Sequence, residues 1–141
     1  MKLVTYLQNS TEHLGVLTAD ETGIVPAKAL GLHFADMAEL AVTMTDRQRD
    51  TAAALLPEKS GEAVPLAQVK LLAPIPRPAR DIICLGVNFS EHARESVGVM
   101  GQEYGGERKF PIYFAKHVNE AVAPGDPIQG HFDIVTDLDY E

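Results

Sequence analysis

Three prolines at alternating positions, in the stretch Pro74-Ile75-Pro76-Arg77-Pro78, constrain this chain more than any other feature. A proline ring fixes the backbone φ angle and removes the amide donor, so no helix can run through the stretch. Alternating prolines favour an extended, semi-rigid connector instead. We therefore predict a connector at residues 74–79, between an N-terminal domain at 1–73 and a second domain at 80–141.

The first 73 residues contain patterns for both strands and helices, which predict a small α+β domain. We predict the α+β fold class for the chain. Residues 2–7 alternate well enough for a strand, and residues 12–18 form a second short β-like run after the polar turn Gln8-Asn9-Ser10-Thr11. Two such runs joined by a short turn are typical of a β-hairpin. Residues 64–72 are predicted to return as an extended strand.

Two helices are predicted between these strands. After Asp36, apolar residues recur at helical spacing from Met37 to Met44, and aspartate is a common N-terminal cap. Asp46 is expected to cap a second helix that runs to about residue 56. We expect both helices to pack on the hairpin.

The second domain carries short β-rich runs. Residues 81–87 are β-branched and apolar, which is typical of a buried strand, and residues 111–116 predict another strand. A short helix is expected after Asn88, and an extended segment from residue 134 onwards. Six apolar side chains are expected to be largely buried: Leu3, Val4, Ile82, Ile83, Leu85 and Phe114.

Composition excludes some classes of function. With 45% hydrophobic and 23% charged residues, the 141-residue chain has the composition of an ordinary globular protein. A formal charge of −8 argues against a nucleic-acid partner, because phosphates are usually met by a basic patch. No apolar run is long enough to span a bilayer, and the N-terminus lacks the apolar region of a secretory signal. We therefore expect a cytoplasmic protein without a membrane partner.

One candidate catalytic pair lies in the segment predicted to be helical after Asn88. His92 and Glu95 are three residues apart, so they share a face of a helix. A carboxylate beside an imidazole can orient it for proton transfer. The alternative is an ordinary solvated helix surface. His117, at the end of a predicted strand, is interpreted as structural or surface-exposed, and His13, His33 and His131 are assigned no role.

A row of carboxylates closes the sequence. In a strand, Asp137, Asp139 and Glu141 would point to one face, because side chains alternate. Such a row requires solvation or a cation, and oxygen ligands suit Mg²⁺, Mn²⁺ or Ca²⁺ rather than zinc. The alternative is an acidic strand edge that discourages pairing with other strands.

Several sequence blocks, taken in order, resemble the fumarylacetoacetate hydrolase family. The resemblance covers nearly the whole chain and rests mainly on these blocks: Leu71-Leu72-Ala73-Pro74-Ile75-Pro76-Arg77-Pro78, Cys84-Leu85-Gly86-Val87-Asn88-Phe89-Ser90-Glu91-His92-Ala93-Arg94-Glu95, Tyr113-Phe114-Ala115-Lys116, Pro124-Gly125-Asp126-Pro127-Ile128 and Asp139-Tyr140-Glu141. The resemblance implies a small N-terminal domain followed by the start of a catalytic domain built as a mixed-β roll. Phe89 departs from the family pattern, in which tyrosine is common at this position.

The resemblance also implies a site. A divalent cation, Mg²⁺ or Mn²⁺, would be held by a Glu-x-Glu pair and an aspartate, of which Glu141 matches the first glutamate. His92 and Glu95 would lie on a lid that activates water, and the lid, residues 88–106, is expected to be mobile without ligand. The 141-residue chain alone, with one of three metal ligands, is expected to be inactive.

The implied function is that of a metal-dependent hydrolase. It would cleave a C–C bond in a small 2-oxo acid or 1,3-dicarbonyl, of the acylpyruvate or fumarylpyruvate type, in aromatic-compound catabolism, and the full-length protein would be a homodimer. The alternatives are a decarboxylase, isomerase or hydratase of a related 2-oxo acid, or a non-catalytic fragment.

Overall fold

The computed structural model describes residues 1–100 and 110–136, and it confirms the α+β class. Contacts divide the chain into two compact units. The N-terminal unit comprises Met1–Arg77 and the described residues from Glu120 onwards, and the hairpin unit comprises Pro78–Asn119. The domain limits at residues 73 and 80 stay a prediction. Across the described ranges, no helix combines the length and the apolar character that crossing a bilayer requires.

The N-terminal unit is built on a five-stranded antiparallel sheet. Its strands are β1 (Leu3–Gln8), β2 (Thr11–Leu17), β3 (Gly23–Pro26), β4 (Val64–Pro65) and β5 (Lys70–Leu71), in the order β4-β3-β2-β1-β5. The turn between β1 and β2 has positive φ angles at Asn9 (50°) and Ser10 (61°), which suit a two-residue hairpin turn. The predicted hairpin is confirmed.

The prediction of one continuous strand at residues 64–72 was wrong. β4 pairs with β3 and β5 pairs with β1, so the two strands lie on opposite edges of the sheet. The chain must cross between those edges, and it does so through a short 3-10 helix at Leu66–Gln68. A single strand could not pair with both edges.

Two helices follow the first three strands, α1 (Met37–Thr43) and α2 (Asp46–Leu55). The Asp36 carboxylate accepts the Glu39 amide N–H at 2.8 Å, which confirms the predicted cap. The predicted cap of α2 was wrong, because Thr45 caps it through a reciprocal pair of hydrogen bonds with Gln48. The core of the unit consists of Val16, Val25, Ala27, Leu30, Leu32 and Ala52.

The hairpin unit contains β6 (Ile82–Gly86), α3 (Ser90–Met100) and β7 (Ile112–Lys116). β6 and β7 pair antiparallel, from Ile82 opposite Lys116 to Gly86 opposite Ile112, so both predicted strands and the intervening helix are confirmed. The predicted burial was wrong for the four side chains of this unit. Ile82, Ile83, Leu85 and Phe114 are between 37% and 68% exposed, because no further sheet covers the hairpin within the described residues, and in the other unit Leu3 and Val4 are half-buried.

The segment after the hairpin belongs to the N-terminal unit. The Arg77 guanidinium bonds to both Glu12 and Glu120, and Lys70 pairs with Asp126 at 2.7 Å. The extended segment predicted from residue 134 is wrong for the described part, residues 134–136. The His131 carbonyl accepts amide N–H groups of both Ile134 and Val135 at 2.9 Å, which makes a turn.

Candidate functional site

The predicted site residues fall partly on one helix and partly outside the described residues. His92 and Glu95 both belong to α3. Glu141 lies outside the described residues, as do Asp137 and Asp139. The predicted mobile lid at residues 88–106 overlaps the described chain only up to residue 100. Of the two predicted constellations, the structure therefore describes only the helix that carries His92 and Glu95.

His92 is half-buried near the start of α3. Its ring centroid lies 5.3 Å from that of Phe89, with the ring planes tilted by 41°. This contact restricts the motion of the imidazole. It requires only an aromatic ring at position 89, which phenylalanine provides as well as the tyrosine common in the family. Glu95 follows three residues later, a spacing that places two residues on one face of a helix. The catalytic role of His92 and Glu95 stays a prediction.

The backbone is strained where β6 leads into α3. Val87 has a φ angle of 48°, a left-handed conformation that a β-branched residue rarely adopts. Three residues later α3 begins, and the Ala93 amide N–H bonds to the Phe89 carbonyl at 3.1 Å. Strain of this kind persists only where the surrounding structure enforces it, and it is common at functional sites. Val87 lies at the junction between β6 and the helix that carries His92.

A second histidine has a carboxylate partner that the sequence did not reveal. His117 Nδ1 lies 2.8 Å from Asp81 Oδ1, and the His117 side chain is 78% exposed. The interpretation of His117 as a surface residue fits this exposure. The pairing with Asp81 follows from the register, since Ile82 faces Lys116 and the residues just outside that pair therefore lie opposite each other. Had the hairpin register been predicted, the pair could have been found.

The metal site implied by the resemblance cannot be built from the described side chains. Within the part of the chain that the structure describes, no three His, Cys, Asp or Glu side chains come together in a way that could hold a metal ion. Glu141, the predicted ligand, is outside that part. Cys84, in the run at residues 81–87 predicted to be a buried strand, is only half-buried on β6.

Comparison with known proteins finds relatives that are all named as oxaloacetate tautomerases. The oxaloacetate tautomerase YisK of Bacillus subtilis is 40% identical over 76 residues, which are 54% of this chain and 24% of the relative. A mitochondrial oxaloacetate tautomerase of Rattus norvegicus is 31% identical over 135 residues, 91% of this chain and 39% of the relative. A mitochondrial oxaloacetate tautomerase of Bos taurus is 26% identical over 123 residues, which are 82% of this chain and 34% of the relative. No protein-family model matches the chain.

These relatives correct the predicted activity. The prediction of a hydrolase that cleaves a C–C bond was wrong, because the matched proteins are named as tautomerases, which are isomerases. An isomerase of a related 2-oxo acid was among the alternatives left open by the sequence. The chain spans between about a quarter and two fifths of the length of these relatives.

Proposed function

We propose, from the premise that this chain is related to the fumarylacetoacetate hydrolase family, that the whole protein is an isomerase of a small 2-oxo acid. The substrate class that we propose is oxaloacetate, in a keto–enol tautomerisation. The observation that carries the proposal is the match to the Rattus norvegicus oxaloacetate tautomerase, 31% identical across 91% of this chain. We further propose the architecture of that family, a small N-terminal domain before a mixed-β catalytic roll, with the boundary at residues 74–79.

Tautomerisation requires little of a protein beyond controlled proton transfer. The enol form carries a hydroxyl on C2 and a double bond between C2 and C3. Conversion to the keto form removes the hydroxyl proton, makes C2 a carbonyl and adds one proton to C3. No atom is lost, and no oxidant or reductant is required. A single group that both accepts and donates protons can therefore serve both steps.

His92 is the group that we propose for this proton transfer, with Glu95 as the residue that orients it. Imidazole both accepts and donates protons near neutral pH, which suits a reaction in which one proton leaves oxygen and another arrives at carbon. The half-buried position of His92 against the Phe89 ring supports the proposal, because a restricted ring loses less conformational freedom when substrate binds.

A divalent cation, Mg²⁺ or Mn²⁺, stays part of the proposal, with Glu141 as one ligand. The described side chains do not by themselves form a metal site, and the proton transfer proposed for His92 needs no cation to balance. A homodimer of the whole protein is likewise proposed from the family resemblance alone.

The proposal is tested with the full-length protein and the enol form of oxaloacetate. The enol absorbs in the ultraviolet, so its decay to the keto form can be followed directly, against the uncatalysed rate and at a fixed Mn²⁺ concentration. We expect acceleration by the wild type and a loss of about 10²–10⁴-fold in kcat for His92→Ala, the usual share of general acid–base catalysis. Glu95→Gln should show a smaller loss in the same parameter.

His33→Ala is the matched control, since His33 is an exposed histidine of the N-terminal unit. It should retain wild-type kcat. If the wild type does not accelerate the decay of the enol, the proposed function is wrong. If it does, and His92→Ala keeps near wild-type kcat, only the role of His92 is wrong.

A further inference from the structure

The N-terminal unit contains a cavity that no step of the proposed function uses. Its volume is about 320 Å³, at the small end of the range for ligand pockets. Part of its wall is apolar, formed by Leu32, Phe34, Met37 and Ile75. The rest of the wall is polar, and it includes Tyr6, Glu12, His13, Lys28, Asp36 and Arg77.

The acidic groups of the wall already have partners within the unit. The Glu12 carboxylate is bonded to the Arg77 guanidinium, which also bonds to Glu120 at 3.1 Å. The Asp36 carboxylate accepts the Glu39 amide N–H as the cap of α1. Neither carboxylate is therefore free to act as the main acceptor for a ligand, and the Arg77 charge is balanced by two glutamates.

Three donor groups of the wall, in contrast to the acidic groups, have no hydrogen-bond or ion-pair partner among the described residues. Tyr6 is only 2% exposed, yet its hydroxyl has no hydrogen-bond partner among residues 1–100 and 110–136. A buried hydroxyl without a partner is unfavourable and uncommon in native proteins. Burial also raises the pKa of Tyr6, so the hydroxyl keeps its proton and can donate it in a hydrogen bond.

Two further donors border the same cavity. The His13 ring lies against the Tyr6 ring, with centroids 5.4 Å apart, and its nitrogens have no hydrogen-bond partner among the described residues. The Lys28 ammonium forms no ion pair within the described ranges. Because the acids of the wall are paired and these donors are not, the cavity is suited to a ligand that brings its own negative charge.

We propose that this cavity binds a small organic acid, with its carboxylate between the Tyr6 hydroxyl and the Lys28 ammonium and its apolar body against Phe34 and Met37. A carboxylate accepts from both donors, and a charge-assisted hydrogen bond is stronger than a neutral one. The apolar wall selects for a hydrocarbon or aromatic body over a fully polar one. The site lies in the N-terminal unit, whereas His92 lies in the hairpin unit, so the proposal does not depend on the proposed function.

Benzoate is the probe for this site, because it joins a carboxylate to a compact aromatic body. Binding to the 141-residue chain is measured by titration with amide chemical shifts in NMR. We expect saturable shifts that cluster around the cavity. Benzamide, which has the same shape without the charge, should bind about tenfold more weakly, as expected from the loss of a charged hydrogen bond.

Two variants remove the proposed donors one at a time. Lys28→Gln and Tyr6→Phe should each weaken benzoate binding by about tenfold. Lys59→Gln is the charge-matched control, since Lys59 pairs with Glu62 elsewhere in the same unit, and it should leave the affinity unchanged. Tyr6→Phe keeps the buried ring and removes a hydroxyl that has no partner in the described residues, so its midpoint of thermal unfolding should stay the same or rise.

Three results would overturn the proposal. The first is the absence of saturable benzoate binding to the wild type. The second is wild-type affinity in both Lys28→Gln and Tyr6→Phe, which would place the benzoate elsewhere. The third is an equal loss in Lys59→Gln and Lys28→Gln, which would indicate a general charge effect. Lys28 is exposed, so Lys28→Gln should fold normally. Its benzoate affinity therefore tests the proposal even if Tyr6→Phe folds poorly.

Discussion

The two units contain strands of similar sequence character but bury them to different degrees. In the N-terminal unit Val16, Ile24 and Val25 of β2 and β3 are 0% exposed. In the hairpin unit Ile83 is 68% exposed and Leu85 is 44% exposed. The difference is that a second layer of helix and turn packs on the N-terminal sheet, whereas β6 and β7 form a two-stranded sheet. An apolar run therefore predicts a strand more reliably than it predicts what covers the strand.

The largest expected effect compares the same substitution in both units. Leu30→Ala removes a side chain from the buried cluster and should lower the free energy of unfolding by about 2–5 kcal/mol. Leu85→Ala removes a side chain that is already 44% exposed, and it should cost less than about 1 kcal/mol. Urea unfolding followed by circular dichroism measures both.

Equal losses in these two variants would contradict the comparison. They would show that Leu85 is buried in solution as deeply as Leu30. Amide hydrogen exchange assigns each loss to its unit, since only the unit that carries the variant should lose protection.

Two glycines, Gly15 in the N-terminal unit and Gly86 in the hairpin unit, allow a second comparison of how tightly the units are packed. A Cβ at Gly15 would lie 2.3 Å from the Ile24 Cγ2, and Ile24 is fully buried, so Gly15→Ala should destabilise by about 1–3 kcal/mol. A Cβ at Gly86 would lie 3.3 Å from the Ile112 Cγ2, and Ile112 is 37% exposed and can shift. Gly86→Ala should stay within about 0.5 kcal/mol of the wild type, as surface substitutions usually do. A larger cost at Gly86 than at Gly15, measured by thermal unfolding, would reverse the ranking of the two units.

A cap tests whether local hydrogen bonds stabilise the N-terminal unit beyond its core. Thr45→Ala removes the hydroxyl that accepts the Gln48 amide N–H, and it should cost about 1 kcal/mol. Thr43→Ala is the matched control, because its exposed hydroxyl only donates to the Glu39 carbonyl within α1. Thr43→Ala should stay within about 0.5 kcal/mol of the wild type. Helical content and urea unfolding distinguish the two, and equal losses would mean that the cap contributes nothing specific.

The smallest expected effect concerns strain in the hairpin unit. Glycine adopts a φ angle of 48° at little cost, whereas alanine does not, so Val87→Gly should be more stable than Val87→Ala by about 0.5–1 kcal/mol. In an ordinary extended or helical position the order would be reversed. Thermal unfolding of the two variants side by side is the measurement. A more stable Val87→Ala would show that the left-handed conformation is absent in solution.

Local patterns predicted the parts of the fold that local interactions determine. β1, β2, β6 and β7, together with the Asp36 cap, were predictable because alternation and capping act over a few residues. The break between β4 and β5 was not, since it depends on pairing with strands about 40 and 65 residues away in sequence, as the β3 and β1 registers show. Exposure of Ile83 escaped prediction for the same reason, because burial depends on a second layer.

In the candidate site too, local features were predictable from the sequence and long-range ones were not. That His92 lies in a helix followed from local spacing. The pair Asp81 and His117 depends on the cross-strand register, which a single strand does not encode. The sequence pattern also could not separate the predicted C–C cleavage from the proposed tautomerisation, because both reactions pass through an enolate and call for similar acid–base groups. The names of the relatives, not the residues, favour the second.

The edges of the N-terminal sheet bear on how this unit behaves at high concentration. Open strand edges offer unpaired N–H and C=O groups to other molecules and are a common route to aggregation. Here both edge strands, β4 and β5, are only two residues long. Pro65 in β4 has no amide N–H to offer, and Lys70 in β5 places a charge on the other edge. The crossing that splits residues 64–72 into two short strands therefore also keeps both outermost strands of this sheet, as the described residues form it, too short to template a long added strand.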